Sequence, residues 1–256
     1  MSHQETYRHN ETLAQVLADW DPAFYAKYID TLAEAGAQGR VLDVGCGVGR
    51  VVASLRERGV DAAGVDVSEA NIDRARKQGL PCEFYDGRRL PFATGDLAAA
   101  GALNVLEHVE EPEAFLEELV RVVRPGGRVL ISSPNFFRSF GWRDYHPKMR
   151  GLANKWANWK RMAEKRRSMR AAPGSVRFDR MRPIFKEPFE PDDDAIVATN
   201  GPEIRFFLER LGCEVERVEC TDRYVPGWLD WALNATPLRF HMFNAFVVAR
   251  RKLVSR

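Results

Sequence analysis

A chain of 256 residues is long enough to bury a full α/β core and too short for two large domains. Its 45% hydrophobic and 29% charged residues are ordinary for a globular protein, and no segment reaches the roughly 18 apolar residues of a membrane span. The net charge of +2 conceals a local imbalance, and the four cysteines (Cys46, Cys82, Cys213, Cys220) lack a CxxC spacing, which argues against a disulfide framework or thiolate metal site.

The opening MSHQETYRHNETLAQ has no apolar run behind its first charges, so neither a secretory leader nor a transmembrane segment is expected and the chain is read as cytoplasmic. Leu13, Val16, Leu17 and Trp20, then Phe24, Tyr28, Ile29 and Leu32, recur at helical spacing, with Asp21-Pro22 starting the second helix. After Gly39 a β/α rhythm begins. RVLDV, DAAGVDV, CEFYD, LAAAGAL and RVLISSP read as strands, separated by the helical RVVASLRERG, SEANIDRARKQG and EPEAFLEELVRVVRPGG, the last closed by its proline and glycines. Units of this length predict right-handed crossovers and a parallel sheet covered on both faces. Residues 136 to 192 lose the rhythm and are read as an insert. GPEIRFFLERLGCEVERVEC restores a helix and a strand, and RFHMFNAFVVARRK is read as the last strand.

The glycines of VLDVGCGVGR follow the first strand directly. A bare loop between a strand and a helix admits a ligand to backbone N–H groups at a helix start, although a tight turn selects glycine as well. A dinucleotide fingerprint would need glycine at position 50, where Arg50 stands.

The spacing Asp43-x-Gly45-x-Gly47-x-Gly49 instead resembles the first motif of the class I S-adenosylmethionine-dependent methyltransferases. Asp66 at the end of GVDV, YDGRRLPF and the block LNVLEHVEEPEAFLEELVRVVRPGGRVLISSPN extend the resemblance over residues 39 to 135. It implies S-adenosylmethionine as cofactor, held by Asp43, Gly45, Cys46, Gly47, Gly49, Asp66, Val67, Asp86, Gly87 and Asn104. Asp66 would take the ribose hydroxyls, Asp86 the adenine amino group, and Gly87 the space beside the ring. It also implies one α/β domain over 1–256 with a Rossmann-like, seven-stranded, mostly parallel sheet and an antiparallel last strand. Residues 1–38 would form an N-terminal helical cap, 39–135 the cofactor-binding core, 136–200 an inserted lid, and 201–256 the closing helix and strands. Plainer readings stand beside these: Asp66 as a helix cap, Asp43 as a brace for the glycine loop, and Trp20, Tyr25 and Tyr28 as core rather than cofactor cover.

Methyl transfer needs positioning, exclusion of water and, for a hydroxyl acceptor, a proton acceptor. His108 in LEHV and His146 in RDYHP are the expected catalytic groups, with Tyr145 and His241 as further candidates. The ubiquinone-pathway O-methyltransferases carry Glu where this chain has Asn104, so no metal is expected. Family members tend to carry His where DDDAIVATN has Ala195, so their substrates do not transfer. Between Lys160 and Arg182, nine Lys or Arg against Glu164 and Asp179 leave a local charge of +7, suited to an acidic or partly apolar substrate, an anionic membrane surface, RNA or a solvated face. The expected reaction is O-methylation of a small or medium-sized acceptor; DNA is not an expected partner. The alternatives are an RNA-directed enzyme and a cofactor-binding protein without catalysis.

Overall fold

The computed structural model describes residues 22–142, 144, 146–184, 192–222 and 225–253. The expected first helix, with Trp20, and Tyr145 lie outside them. Helix α1 (Pro22–Gly36) starts at the proline of Asp21-Pro22. The β/α units follow: β1 (Val41–Val44), α2 (Arg50–Glu57), β2 (Ala62–Asp66), α3 (Glu69–Lys77), β3 (Cys82–Phe84), β4 (Leu97–Leu103), α4 (Pro112–Val122) and β5 (Val123–Ser133). Beyond them come α5 (Leu152–Ala171), β6 (Asp179–Arg180), β7 (Val197–Ala198), α6 (Gly201–Arg210), β8 (Cys213–Thr221), α7 (Gly227–Asn234) and β9 (Asn244–Arg251).

Seven strands form one sheet in the order β3-β2-β1-β4-β5-β9-β8, all parallel except β9, which runs antiparallel to both neighbours. All four residues of β1 are buried, as a strand covered on both faces requires. The chain moves outward from β1 to β2 and β3 and then crosses to β4 on the other side of β1. That reversal opens a crevice at the carboxyl ends of β1 and β4, where open α/β sheets bind ligands. Gly101 in β4 admits Tyr28, whose ring lies where a Cβ would sit. Tyr28 is thus core, and Tyr25 packs beside it.

Two boundaries differ from expectation. Helix α4 stops at Val122, and Arg124-Pro125-Gly126-Gly127 form the bulged start of β5. Gly127 is needed there because a Cβ would lie 2.6 Å from Ala98 O. The last strand begins at Asn244, since Pro237–Phe240 forms a 3-10 turn instead. VPGWLDWALNATPL contains α7, which leaves Trp228 and Trp231 exposed.

The insert holds a 20-residue helix, α5, that the sequence does not announce, because only Asn158 and Met162 of it are buried. Tertiary contacts supply what periodicity lacks. Lys165 Nζ lies 2.7 Å from Asp179 and 2.8 Å from Glu203, joining α5 to β6 and α6. Phe136, Phe137, Met149, Met162, Met181, Ala195 and Ala198 form a separate small core beneath it. The insert is tied to the loop after β4, where Ile196 N donates to Glu107 O and Arg180 donates to the carbonyls of Val109 and Glu110.

Candidate functional site

The glycine loop is held by its own backbone. Gly45 and Cys46 donate N–H to Val65 O at 2.8 and 3.0 Å, and Gly47 N–H donates to Asp66 Oδ2 at 2.8 Å. The three glycines have positive φ (74, 53 and 82°) but separate reasons for being glycine. A Cβ on Gly45 would strike Val105, and one on Gly49 would come within 2.7 Å of Leu80 Cδ1. At Gly47 it would meet no atom of the described residues within 4 Å, so its positive φ and not a close neighbour accounts for the glycine.

A cleft follows the carboxyl ends of β1, β2 and β4. Gly45, Asp66, Val67, Gly87, Asn104 and His108 line it, together with Asn71, Tyr85, Val105 and Val109, which sequence reasoning did not single out. Asn71 carried a signal of a kind: it lies on the first turn of α3, whose N-cap Ser68 side chain accepts from its N–H.

Asp66 holds the cleft together. Besides Gly47, it accepts from Ser68 N–H on Oδ1 at 2.8 Å, so it does cap the approach to α3. The Asn71 side chain and Val67 N–H also lie within its reach, so the carboxylate is braced on the side of α3 while it lines the cleft. Burial pushes its pKa up, opposed by the N–H bonds from Ser68 and Gly47.

Asn104 adopts φ 53°, a conformation that costs a non-glycine residue free energy, and its Oδ1 is buried without a hydrogen-bond partner. The residue lies on the cleft wall.

His108 closes the other wall. Its Nδ1 lies 3.6 Å from Asp194 Oδ1, and its Nε2 lies 3.9 Å from Glu107 Oε1 and 4.0 Å from Asp192 Oδ1. Glu107 is fully buried and its pKa is raised, first by desolvation and then by Asp192. Hydrogen-bond counting agrees. The Ser133 hydroxyl contacts both Glu107 Oε2 (2.8 Å) and Thr199 Oγ1 (2.7 Å), and Thr199 already donates to Pro134 O. Ser133 has one proton, so every contact is satisfied when a protonated Glu107 donates to Ser133 and Ser133 donates to Thr199. Burial likewise raises Asp194 to about 6. The run Asp192-Asp193-Asp194 was the one sequence hint of this ring, and nothing local said that it would return to His108.

Four expected site residues face elsewhere, and two, Gly47 and Asp86, stand at the margin. Asp43 is buried and accepts from Tyr28 Oη at 2.9 Å, bracing α1 rather than the loop. Cys46 is buried against Gly64, and Gly49 packs on the turn before β3. Gly47 touches the cleft only through the N–H it gives Asp66. His146 is 1% exposed, accepts Lys148 N–H at the head of a 3-10 turn and stacks edge-on against Phe136, so it serves the insert's core. Asp86 is exposed between Tyr85 and Gly87, with Oδ1 accepting from Arg88 and Arg89 N–H, which lowers its pKa.

Asp43 makes a stability prediction. Burial raises its pKa from 3.8 to about 7, against the opposing hydrogen bond from Tyr28. Between those values the native chain holds a proton that the unfolded chain has released, so stability falls as pH rises through the window, by at most about 1.4 kcal/mol per pH unit. Asp43→Asn is expected to flatten that fall, read as unfolding midpoints from pH 4 to pH 7. Parallel curves for the two chains would contradict the assignment.

Among known proteins, residues 17–172 match a family described as a methyltransferase domain. An uncharacterized methyltransferase of Mycobacterium sp. (strain JLS) is 31% identical over 241 residues, 93% of this chain and 84% of that protein. A ubiquinone biosynthesis O-methyltransferase of Alkalilimnicola ehrlichii is 33% identical over 135 residues, 45% of this chain and 54% of its own length. The fold is shared with a SAM-dependent methyltransferase from Aquifex aeolicus, with TM-score 0.53 at 18% identity over 95% of this chain and all of that one.

Proposed function

From the chain's membership of the class I S-adenosylmethionine-dependent methyltransferases, we propose that it methylates an oxygen of a small or medium-sized acceptor, with His108 receiving the acceptor's proton. Bound S-adenosylmethionine supplies an activated methyl carbon and departs as the demethylated thioether. Asp66, a buried carboxylate at the end of β2 on the cleft wall, accepts the ribose hydroxyls. Val67, Tyr85 and Gly87 flank the adenine, and Asn104 Oδ1 accepts from the methionyl ammonium. His108 takes the proton as the acceptor oxygen becomes bonded to carbon, and the neighbouring carboxylates stabilise the resulting imidazolium.

The observation that carries this reading is the position of His108, on the same cleft wall as Asn104 and ringed by Glu107, Asp192 and Asp194. The partial match to ubiquinone-pathway O-methyltransferases supports an oxygen acceptor, although it spans about half of such a protein. Incubation with methyl-labelled S-adenosylmethionine and separate metabolite, lipid and RNA pools tests it. Label in an O-methylated metabolite is expected; label confined to RNA would overturn the acceptor class.

A second reading rests on one feature. Ligand atoms of Glu107, His108 and Asp192 lie within 4.8 Å of one another, and Glu107 Oε1 is buried without a hydrogen-bond partner. That donor set fits a divalent cation, which would polarise the acceptor oxygen. Activity that disappears on chelation and returns with added cation would favour it over a general base.

Gly47 supplies a separate test of cofactor placement. Gly47→Ala is expected to cost the fold about 1 kcal/mol, because φ 53° is strained for alanine while no neighbour is struck. Affinity for S-adenosylhomocysteine is expected to fall roughly tenfold, since the methyl takes ligand space. A stable variant with unchanged affinity would remove Gly47 from the binding surface.

A further inference from the structure

The basic stretch is not uniformly solvated. Lys165 is neutralised by Asp179 and Glu203, Arg177 donates to the carbonyls of Gly174 and Val176, Arg180 donates to those of Val109 and Glu110, and Lys160 sits over the Trp156 ring. Arg161, Arg166, Arg167, Arg170 and Arg182 meet neither a carboxylate nor a carbonyl among the described residues, and of these Arg166, Arg167 and Arg170 line one surface together. They converge on a groove of about 600 Å³ between α5 and the turn before β9, with Trp159 and Met162 on one wall and His241 on the other.

Two features of this groove carry a cost when it is empty. Arg166 and Arg170 are like charges four residues apart on one helix face, an arrangement that destabilises a helix. Arg166 is also half-buried, its guanidinium 5.3 Å from the Phe240 ring centroid. Opposite them, His241 is 9% exposed and its Nδ1 is buried with no hydrogen-bond partner. Three guanidiniums without a carboxylate partner around one groove are complementary to an oxyanion with several acceptor atoms, and guanidinium forks match phosphate oxygens bidentately.

The groove's position connects it to catalysis. His241 O accepts from Ser139 and Phe140 N–H, and Asn135 donates to Phe240 O, so the groove lies where β5 leaves the sheet and β9 enters it. That is the carboxyl edge shared with Asn104, whose N–H donates to Ser132 O.

We infer that the groove formed by Arg166, Arg167, Arg170 and His241 binds the phosphate or diphosphate group of an esterified acceptor, with Trp159 and Met162 against its apolar body. The inference rests on the small-molecule acceptor proposed above and specifies its chemistry. A groove of this size takes a phosphate together with an organic portion. Its cations are gathered in one place, whereas a nucleic-acid surface would distribute them along a track.

Calorimetric titration with inorganic pyrophosphate tests the site without methyl transfer, so its outcome is independent of the proposed O-methylation. The wild-type chain is expected to bind pyrophosphate, and the triple variant Arg166→Gln/Arg167→Gln/Arg170→Gln to bind it at least about tenfold more weakly. Affinity for S-adenosylhomocysteine is expected to change less than about threefold, which also shows that the variant is folded. Because Arg166 is half-buried, the double variant Arg167→Gln/Arg170→Gln, confined to exposed side chains, is measured in parallel and is expected to lose at least about threefold. Vesicles of phosphatidylcholine with and without phosphatidic acid distinguish the two sources of a phosphate ester: sedimentation that needs phosphatidic acid and the three arginines identifies a lipid headgroup, and its absence beside pyrophosphate binding identifies a soluble ester. No pyrophosphate binding, equal binding by wild type and both variants, or arginine-dependent binding of single-stranded RNA in place of pyrophosphate would each overturn the inference.

Discussion

Replacement of His108 by Gln is expected to lower kcat about 10²- to 10⁴-fold while changing the Kd for S-adenosylhomocysteine less than about threefold. Glutamine keeps a polar side chain in the loop between β4 and α4 but cannot carry the acceptor's proton. The imidazole lies on the cleft wall with the carboxylates of Asp192 and Asp194 facing it from the insert. Those two groups act after the proton arrives, when imidazolium forms beside them, so removing the ring affects turnover rather than cofactor binding. Under this reading the wild-type enzyme keeps its activity in chelator. Loss of cofactor affinity equal to the loss of kcat would mean that His108 supports the binding site instead.

Asp66→Ala is expected to weaken S-adenosylhomocysteine binding by about 2 to 3 kcal/mol, roughly 30- to 150-fold. The change removes the charged acceptor for the ribose and also leaves Gly47 and Ser68 N–H without their partner. The loop that presents the cofactor and the start of α3 therefore loosen together, which places the expectation above the loss of one neutral hydrogen bond. A pH series adds a second signature. Because burial holds the Asp66 pKa above the ordinary carboxylate range, wild-type affinity is expected to weaken on acidification at higher pH than for an exposed aspartate, and the alanine variant to lack that dependence. An unchanged dissociation constant would remove Asp66 from the ribose.

The cleft was partly legible in advance because its residues are tied to strand ends. A strand-turn-helix passage with glycine at every second position, and a carboxylate closing the next strand, fix Gly45 and Asp66 relative to each other through the parallel pairing of β1 and β2. Asp43 and Cys46 belong to the same motif yet face inward. Alternation along an extended chain assigns neighbouring residues to opposite faces, but the face that receives a ligand depends on what packs below. Here Tyr28 from α1 takes Asp43, and Gly64 leaves room for Cys46. His146 was a candidate proton acceptor by residue type; its ring packs edge-on against Phe136 of the insert's small core.

The sequence by itself determined the alternation of strands and helices that builds the parallel part of the sheet. That alternation follows from local apolar periodicity, from turn residues and from connection lengths, all properties of short windows of chain. Only the tertiary structure decided the surroundings of His108 and the fate of the basic insert. Asp192 and Asp194 lie more than 80 residues from His108, and the pairing between Lys165 and Glu203 spans a helix and two short strands. Which charges meet and which stay unneutralised is a sum over long-range contacts that no window contains. Of nine basic residues that looked alike in the sequence, Lys165, Arg177 and Arg180 hold the insert and Arg166, Arg167 and Arg170 face one groove.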